Sequence, residues 1–147
     1  MSIERERCVE NARLQATDFG AQMAAAYECD REGLEAEAVT YYDAAWKLGV
    51  PDPERSAFLV GYGSTLKNVG RLAESAARLN DAMAYSAVNH PARAFLALTQ
   101  LRAGDAERAM ATMIELLLET GSQESGIIRY RKALTFYADE LKSGTRA

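Results

Sequence analysis

Apolar residues return every three or four positions along most of this chain, and short polar breaks carrying glycine or proline interrupt them at even distances. That spacing gathers the apolar side chains on one face of a helix, so the pattern predicts helices joined by tight turns. The first clear pair covers Phe19–Arg31 and 34–48, the second helix carrying Leu34, Ala38, Tyr41, Tyr42, Ala45 and Trp46 at helical spacing. Pro51 ends it, because proline disfavours helical geometry in the residue before it. Asp52-Pro53-Glu54 then reads as an N-cap acid with proline in the first turn. It opens a helix containing Leu59-x2-Tyr62-Gly63-x2-Leu66, and 71–86 returns with Leu72, Ser75, Leu79 and Ala82 inward. A third pair spans 91–102 and 106–119, where Met110, Met113, Ile114 and Leu117 are expected to form the buried stripe. A last helix over 124–141 sets Ile127, Tyr130, Leu134, Tyr137 and Leu141 on one face. Residues 1–17 are polar and weakly patterned, and form either an arm or an extra helix.

The breaks are copies of one another. Gly33-Leu34-Glu35-Ala36-Glu37-Ala38-x3-Tyr42 recurs as Gly70-Arg71-Leu72-Ala73-Glu74-Ser75-x3-Leu79 and as Gly104-Asp105-Ala106-Glu107-Arg108-Ala109-x3-Met113. The glycines lie 37 and then 34 residues apart, the period of a two-helix solenoid repeat. A hairpin of this size buries its apolar face only against its neighbours, so the expected object is a stacked superhelix with a groove. Three repeats follow, at about 18–51, 52–88 and 89–122, with a capping helix at 124–141, an N-terminal segment at 1–17 and a tail at 142–147.

Composition narrows the function. Seventeen basic against 21 acidic side chains leave a net charge of −4, with no concentrated basic field of the kind nucleic acid requires. No run of about 18 apolar residues is present, so no membrane span is expected. The charged start, Ser2-Ile3-Glu4-Arg5-Glu6-Arg7, is unlike a signal peptide. Cys8 and Cys29 form no metal-ligand spacing and the chain has a single histidine, which fits a reducing, cytoplasmic setting without a metal or other cofactor. Gly61-Tyr62-Gly63-Ser64-Thr65 lacks the spacing of a phosphate loop and lies within a helix. His90 precedes Pro91 at a helix start, a capping or solvated position. No nucleophile stands with a base in the pattern, so an enzyme is not expected.

These repeats resemble tetratricopeptide repeats. The small positions of the second helices are Ala38, Ser75 and Ala109, and the bulky ones four later are Tyr42, Leu79 and Met113. The segments 42–50, 63–71 and 128–134 look like the bacterial group 5 tetratricopeptide family, whose members are small stand-alone proteins. The resemblance implies an all-α, right-handed α-α superhelix of three helical hairpins plus a C-terminal capping helix. It further implies a non-enzymatic, cytoplasmic protein-interaction module that binds a peptide or helix in its concave groove. In such an architecture the first helices line that groove, which nominates Met23, Tyr27 and Arg31, then Ser64, Lys67 and Asn68, then Leu98, Leu101 and Arg102. Chaperone-tail binding is not expected, because Met23 and Tyr27 stand where the clamp's first Lys and Asn belong. Two alternatives stay open. One is a homodimer through the last helix, where Ile127, Ile128, Phe136 and Tyr137 point around more of the surface than one buried stripe requires. The other is a small chaperone for a client protein.

Overall fold

A computed structural model describes residues 2–144. Among them are eight helices and no strand: α1 (Ile3–Leu14), α2 (Phe19–Arg31), α3 (Glu35–Leu48), α4 (Asp52–Asn68), α5 (Leu72–Tyr85), α6 (His90–Arg102), α7 (Ala106–Thr120) and α8 (Ser125–Ser143). α2–α3, α4–α5 and α6–α7 form three antiparallel hairpins stacked in chain order.

The three hairpin turns close in the same way. Gly33, Gly70 and Gly104 take φ of 75°, 83° and 88°, the left-handed region that a side chain disfavours. The residue after each glycine then donates its N–H five residues back: Leu34 to Cys29, Arg71 to Leu66 and Asp105 to Gln100, each at 2.9 Å. These are Schellman closures, which satisfy otherwise orphaned helix-end carbonyls and reverse the chain in three residues. α4 begins at Asp52 itself with Pro51 at the N-cap, so Asp52 makes no side-chain cap.

Small residues set the helix separation. Gly63 of α4 lies so close to α5 that a Cβ there would stand 2.6 Å from Leu79 Cγ. Ser75 Oγ donates to Gly63 O at 2.7 Å and pairs with Thr99 Oγ1 at 2.9 Å, joining α4, α5 and α6 through a fully buried contact. The core divides into an aromatic half around Tyr42, Phe58 and Tyr62 and an aliphatic half around Leu59, Leu79 and Leu96. Trp46 packs against both, beneath the Arg78 guanidinium at 4.3 Å.

The N-terminal segment is helical over α1 and packs against α2. Arg5 forms an ion pair with Glu32 at 3.0 Å, and Gln22 Nε2 donates to Ala12 O at 2.8 Å. At the other end α8 runs on through Lys142 and Ser143, with Lys142 paired to Glu115 of α7. The tail expected at 142–147 is therefore helical in its first two residues, and 145–147 lie outside the described residues.

Two expectations about the C-terminal end are corrected. Met110, Met113 and Leu117 are not buried: they are 57%, 43% and 47% exposed. Tyr130 and Tyr137 do not join the packed face of α8 and are each 57% exposed. The helix instead turns Ile127, Arg131, Leu134, Ala138 and Leu141 inward. Both corrections have one cause, the way α8 sits on α7.

Candidate functional site

Each hairpin presents a face on which the next one stacks. On α3, Tyr42 and Ala45 receive α4, with the Tyr42 ring 5.5 Å from both Phe58 and Tyr62. On α5, Leu79 and Ala82 receive Ala92 and Leu96 of α6. The matching residue on α7 is Met113, and no helix among the described residues covers it. α8 follows another side of α7: Arg131 Nη2 donates to Leu118 O at 3.2 Å, and Lys142 reaches Glu115. Glu115 and Leu118 share that side with Ala111, which is fully buried. Among the described residues α8 touches α7 alone, whereas α4 also touches α2 and α6 also touches α4.

The uncovered face is a cleft of about 390 Å³ between α6 and α7. Leu98, Leu101, Met110 and Met113 form its walls and Ala97 and Ala109 its floor, and every lining side chain is apolar. None comes from α8. Leu98 and Leu101 are 48% and 55% exposed, so this end of the protein presents one continuous apolar surface to solvent.

The remaining nominated residues are distributed differently. Lys67 Nζ donates to Asn68 Oδ1 at 2.7 Å, and Asn68 Nδ2 donates to Glu35 Oε1 of α3 at 2.6 Å. Their polar groups are thus joined to each other and to the first repeat. Ser64 is half-buried beside them on α4. Met23 and Tyr27 are half-buried against the aromatic core, Tyr27 lying 6.0 Å from the Tyr42 ring. Burial pushes the Tyr27 phenol above its ordinary pKa. Arg31 is exposed and paired with Glu28 of its own helix, and Arg102 is exposed at the end of α6. Of the nine nominated groove residues, Leu98 and Leu101 line the cleft. Met110 and Met113 are the residues the sequence reading missed, having been assigned to the core. A signal was present: their helix carries Met110, Met113 and Leu117 in addition to the small buried Ala109 and Thr112, more apolar width than one packed side requires.

The titratable groups act in packing. Burial raises the Asp30 carboxyl, which accepts from Tyr42 Oη at 3.1 Å. Burial also works to raise Asp43, but hydrogen bonds from Arg71 and Tyr62 outweigh it and hold its carboxyl below the usual range. Arg71 joins Asp43 of α3 at 2.7 Å to Glu74 of α5 at 2.5 Å, bridging consecutive repeats. Burial is the main cause that raises the thiols of Cys8 and Cys29, which keeps them protonated and poorly nucleophilic. Among the described residues, no group of three His, Cys, Asp or Glu side chains is placed to hold a metal ion. No helix there is long and apolar enough to cross a membrane.

A family model for the tetratrico peptide repeat, group 5, matches residues 20–141. The chain belongs to this tetratricopeptide family. No curated protein and no solved structure matches it significantly. Tetratricopeptide repeats mediate protein–protein interaction and form a non-catalytic module. The three tetratricopeptide hairpins here are α2–α3, α4–α5 and α6–α7, and α8 stands apart from their stacking order.

Proposed function

We propose that the chain binds the apolar face of a helix in the cleft between α6 and α7. The observation that carries this is the open stacking face of the third repeat, with Leu98, Leu101, Met110 and Met113 exposed around an all-apolar cleft. A contiguous exposed patch of this kind is uncommon on a solitary soluble domain and marks an interaction surface. Methionines suit it, since an unbranched, polarizable side chain adapts to the partner's shape. The fold itself supports a helix as ligand, because the two equivalent faces, on α3 and α5, are each filled by one. The apolar lining favours an amphipathic helix with anchors at i, i+3, i+4 and i+7 over an extended peptide held by its backbone. Leu98 and Leu101 of the expected groove remain part of this reading. Lys67 and Asn68, already bonded to each other and to Glu35, contribute to packing between repeats.

The test uses methyl signals of the five methionines. A hydrocarbon-stapled helical peptide with leucines at i, i+3, i+4 and i+7 is titrated into the full chain. Met110 and Met113 shift, Met23 and Met83 do not, and Leu98→Arg abolishes the shift. Binding that moves Met23 but leaves Met110 and Met113 in place would locate the groove in the first repeat and refute this assignment.

A further inference from the structure

We propose that the helix filling the cleft is α8 of a second copy, so that two chains dock reciprocally into a two-fold dimer. This rests on the cleft being a helix-binding site, as above, and commits it to one occupant.

The chain carries both halves of a contact that it makes twice elsewhere and leaves unmade at this end. Within the stack, a bulky residue on a second helix meets a bulky residue on the next first helix: Tyr42 meets Tyr62, and Leu79 meets Leu96. Tyr62 belongs to Leu59-x2-Tyr62-Gly63-x2-Leu66, and α8 repeats that form as Leu134-x2-Tyr137-Ala138-x2-Leu141. By the form of that motif Tyr137 matches Tyr62, seven residues past Tyr130, the position that the 34-residue spacing gives from Leu96; Met113 is the counterpart of Tyr42. Tyr62 is 2% exposed and Tyr42 1%, while Tyr137 is 57% exposed and Met113 43%. Within one chain α8 contributes nothing to the cleft lining.

α8 can serve a second chain without leaving its own. Its inward residues Ile127, Leu134 and Ala138 hold it on α7, while Tyr130, Phe136 and Tyr137 project elsewhere. Phe136 and Tyr137 meet edge to face at 5.5 Å, a preformed aromatic pair on the outer surface. Arg129 lies over the Tyr130 ring at 5.6 Å and puts a cation at the margin of the patch, as expected for a polar rim around an apolar centre.

The exposed area is sufficient. Leu98, Leu101, Met110, Met113 and Leu117 on the cleft side, with Tyr130, Phe136 and Tyr137 on α8, are each 43% to 57% exposed. At about 200 Å² for each fully exposed large side chain, they offer on the order of 850 Å² per chain, against about 800 Å² per partner in a standard stable interface. Reciprocal docking buries all of it in one closed assembly. One-way docking would leave a cleft free at one end and an α8 at the other and propagate as a filament.

Sedimentation velocity on the full chain across a concentration series tests this, with variants at exposed positions on the two sides: Tyr137→Glu on α8 and Met113→Glu in the cleft. Tyr137→Ser and Met113→Gln serve as milder versions if either glutamate lowers the thermal midpoint. The wild type is expected as a dimer of 16.1 kDa chains. Each variant weakens association at least about 30-fold, the loss of an interface hot spot, and each hits the symmetric contact twice. Mixing the two variants restores association in part, because the hetero-pair keeps one intact contact, Tyr137 of one chain in the unaltered cleft of the other. A wild type that stays monomeric at every concentration overturns the α8 proposal and leaves the cleft to be judged by its methionine signals. A dimer that both substitutions leave intact, with Met110 and Met113 unmoved by the peptide, overturns both. A mixture that associates no better than either variant alone overturns the reciprocal geometry.

Discussion

Replacing Gly63 by alanine should destabilise this protein, although alanine is the better helix former by about 1 kcal/mol. The new Cβ would stand 2.6 Å from Leu79 Cγ and 2.7 Å from Cδ2, well inside van der Waals contact. Leu79 has nowhere to move: it is fully buried and packed among Leu59, Ala82, Ala92 and Leu96. Overpacking a filled core costs about 1–3 kcal/mol. Subtracting the propensity gain leaves a net loss of about 1 kcal/mol, up to about 2 where the α4–α5 separation is forced to widen. Leu79→Ala alone costs about 2–5 kcal/mol, as for any fully buried leucine. In the double variant the alanine methyl at 63 occupies part of the vacated space and the clash disappears, so the two costs fall short of their sum by about 1.5–3 kcal/mol.

Trp46, the single tryptophan, touches both halves of the core, so its fluorescence during urea unfolding follows the whole stack. The four members of the cycle are compared by midpoint at unchanged slope. Additivity within about 0.5 kcal/mol, or a Gly63→Ala variant more stable than wild type, would refute the claim that Gly63 is small because α5 needs the space.

Two further outcomes are expected. Ser75→Ala removes the hydrogen bond to Gly63 O and the contact with Thr99, and should cost about 1–2 kcal/mol in the same urea assay because Gly63 O is left buried without that donor; no loss would mean water or a rearranged Thr99 replaces it. Stability should also fall in acid through Asp43. Its pKa is lowered by folding, so its contribution is complete above the unfolded carboxyl value of about 3.9 and is lost as pH falls through the folded value. Asp30 has the opposite sign, being raised by burial, so acid relieves a cost there. Asp43→Asn should therefore flatten the decline in urea midpoint below about pH 4 and Asp30→Asn should steepen it; equal pH profiles for the two variants would sink the assignment.

The three hairpins were legible because their information is local. A glycine four residues after the carbonyl that its successor satisfies, and small residues where the two helices of a hairpin cross, are short-range constraints that repeat at a fixed period. Leu98 and Leu101 were legible for the same reason, as first-helix positions pointing away from their own hairpin. The partner of Lys67 and Asn68 was not legible, because helical periodicity gives direction but not neighbours, and Glu35 comes from 33 residues away. Met110, Met113 and Leu117 failed differently. An amphipathic stripe states only that a surface is apolar, and whether it is buried depends on where the next helix lies.

Where α8 lies has its own physical cause, and it can be tested. The small first-helix position is Gly63 in the second repeat and Ala97, 34 residues on, in the third; another 34 residues reach Arg131. At Gly63 the small residue meets the second helix of its own hairpin; among the described residues no helix follows α8, so position 131 has no such neighbour and admits a guanidinium. That guanidinium gives α8 a different hold on α7. Ala138, two turns later, takes the buried position at 1% exposure, and Arg131 reaches along α7 to the Leu118 carbonyl. Arg131→Ala removes the bond that holds α8 along this side of α7. α8 should then move onto Met113 within its own chain, covering the cleft that the wild type leaves open. Peroxide oxidation of Met113, followed by mass spectrometry with Met110 in the same peptide map, reads this directly. At concentrations low enough to keep the wild type monomeric, the rate at Met113 should fall several-fold in Arg131→Ala; at higher concentration the variant should fail to dimerise, because a cleft filled from within has no room for a second copy. Oxidation at the wild-type rate would mean that Arg131 does not set the position of α8.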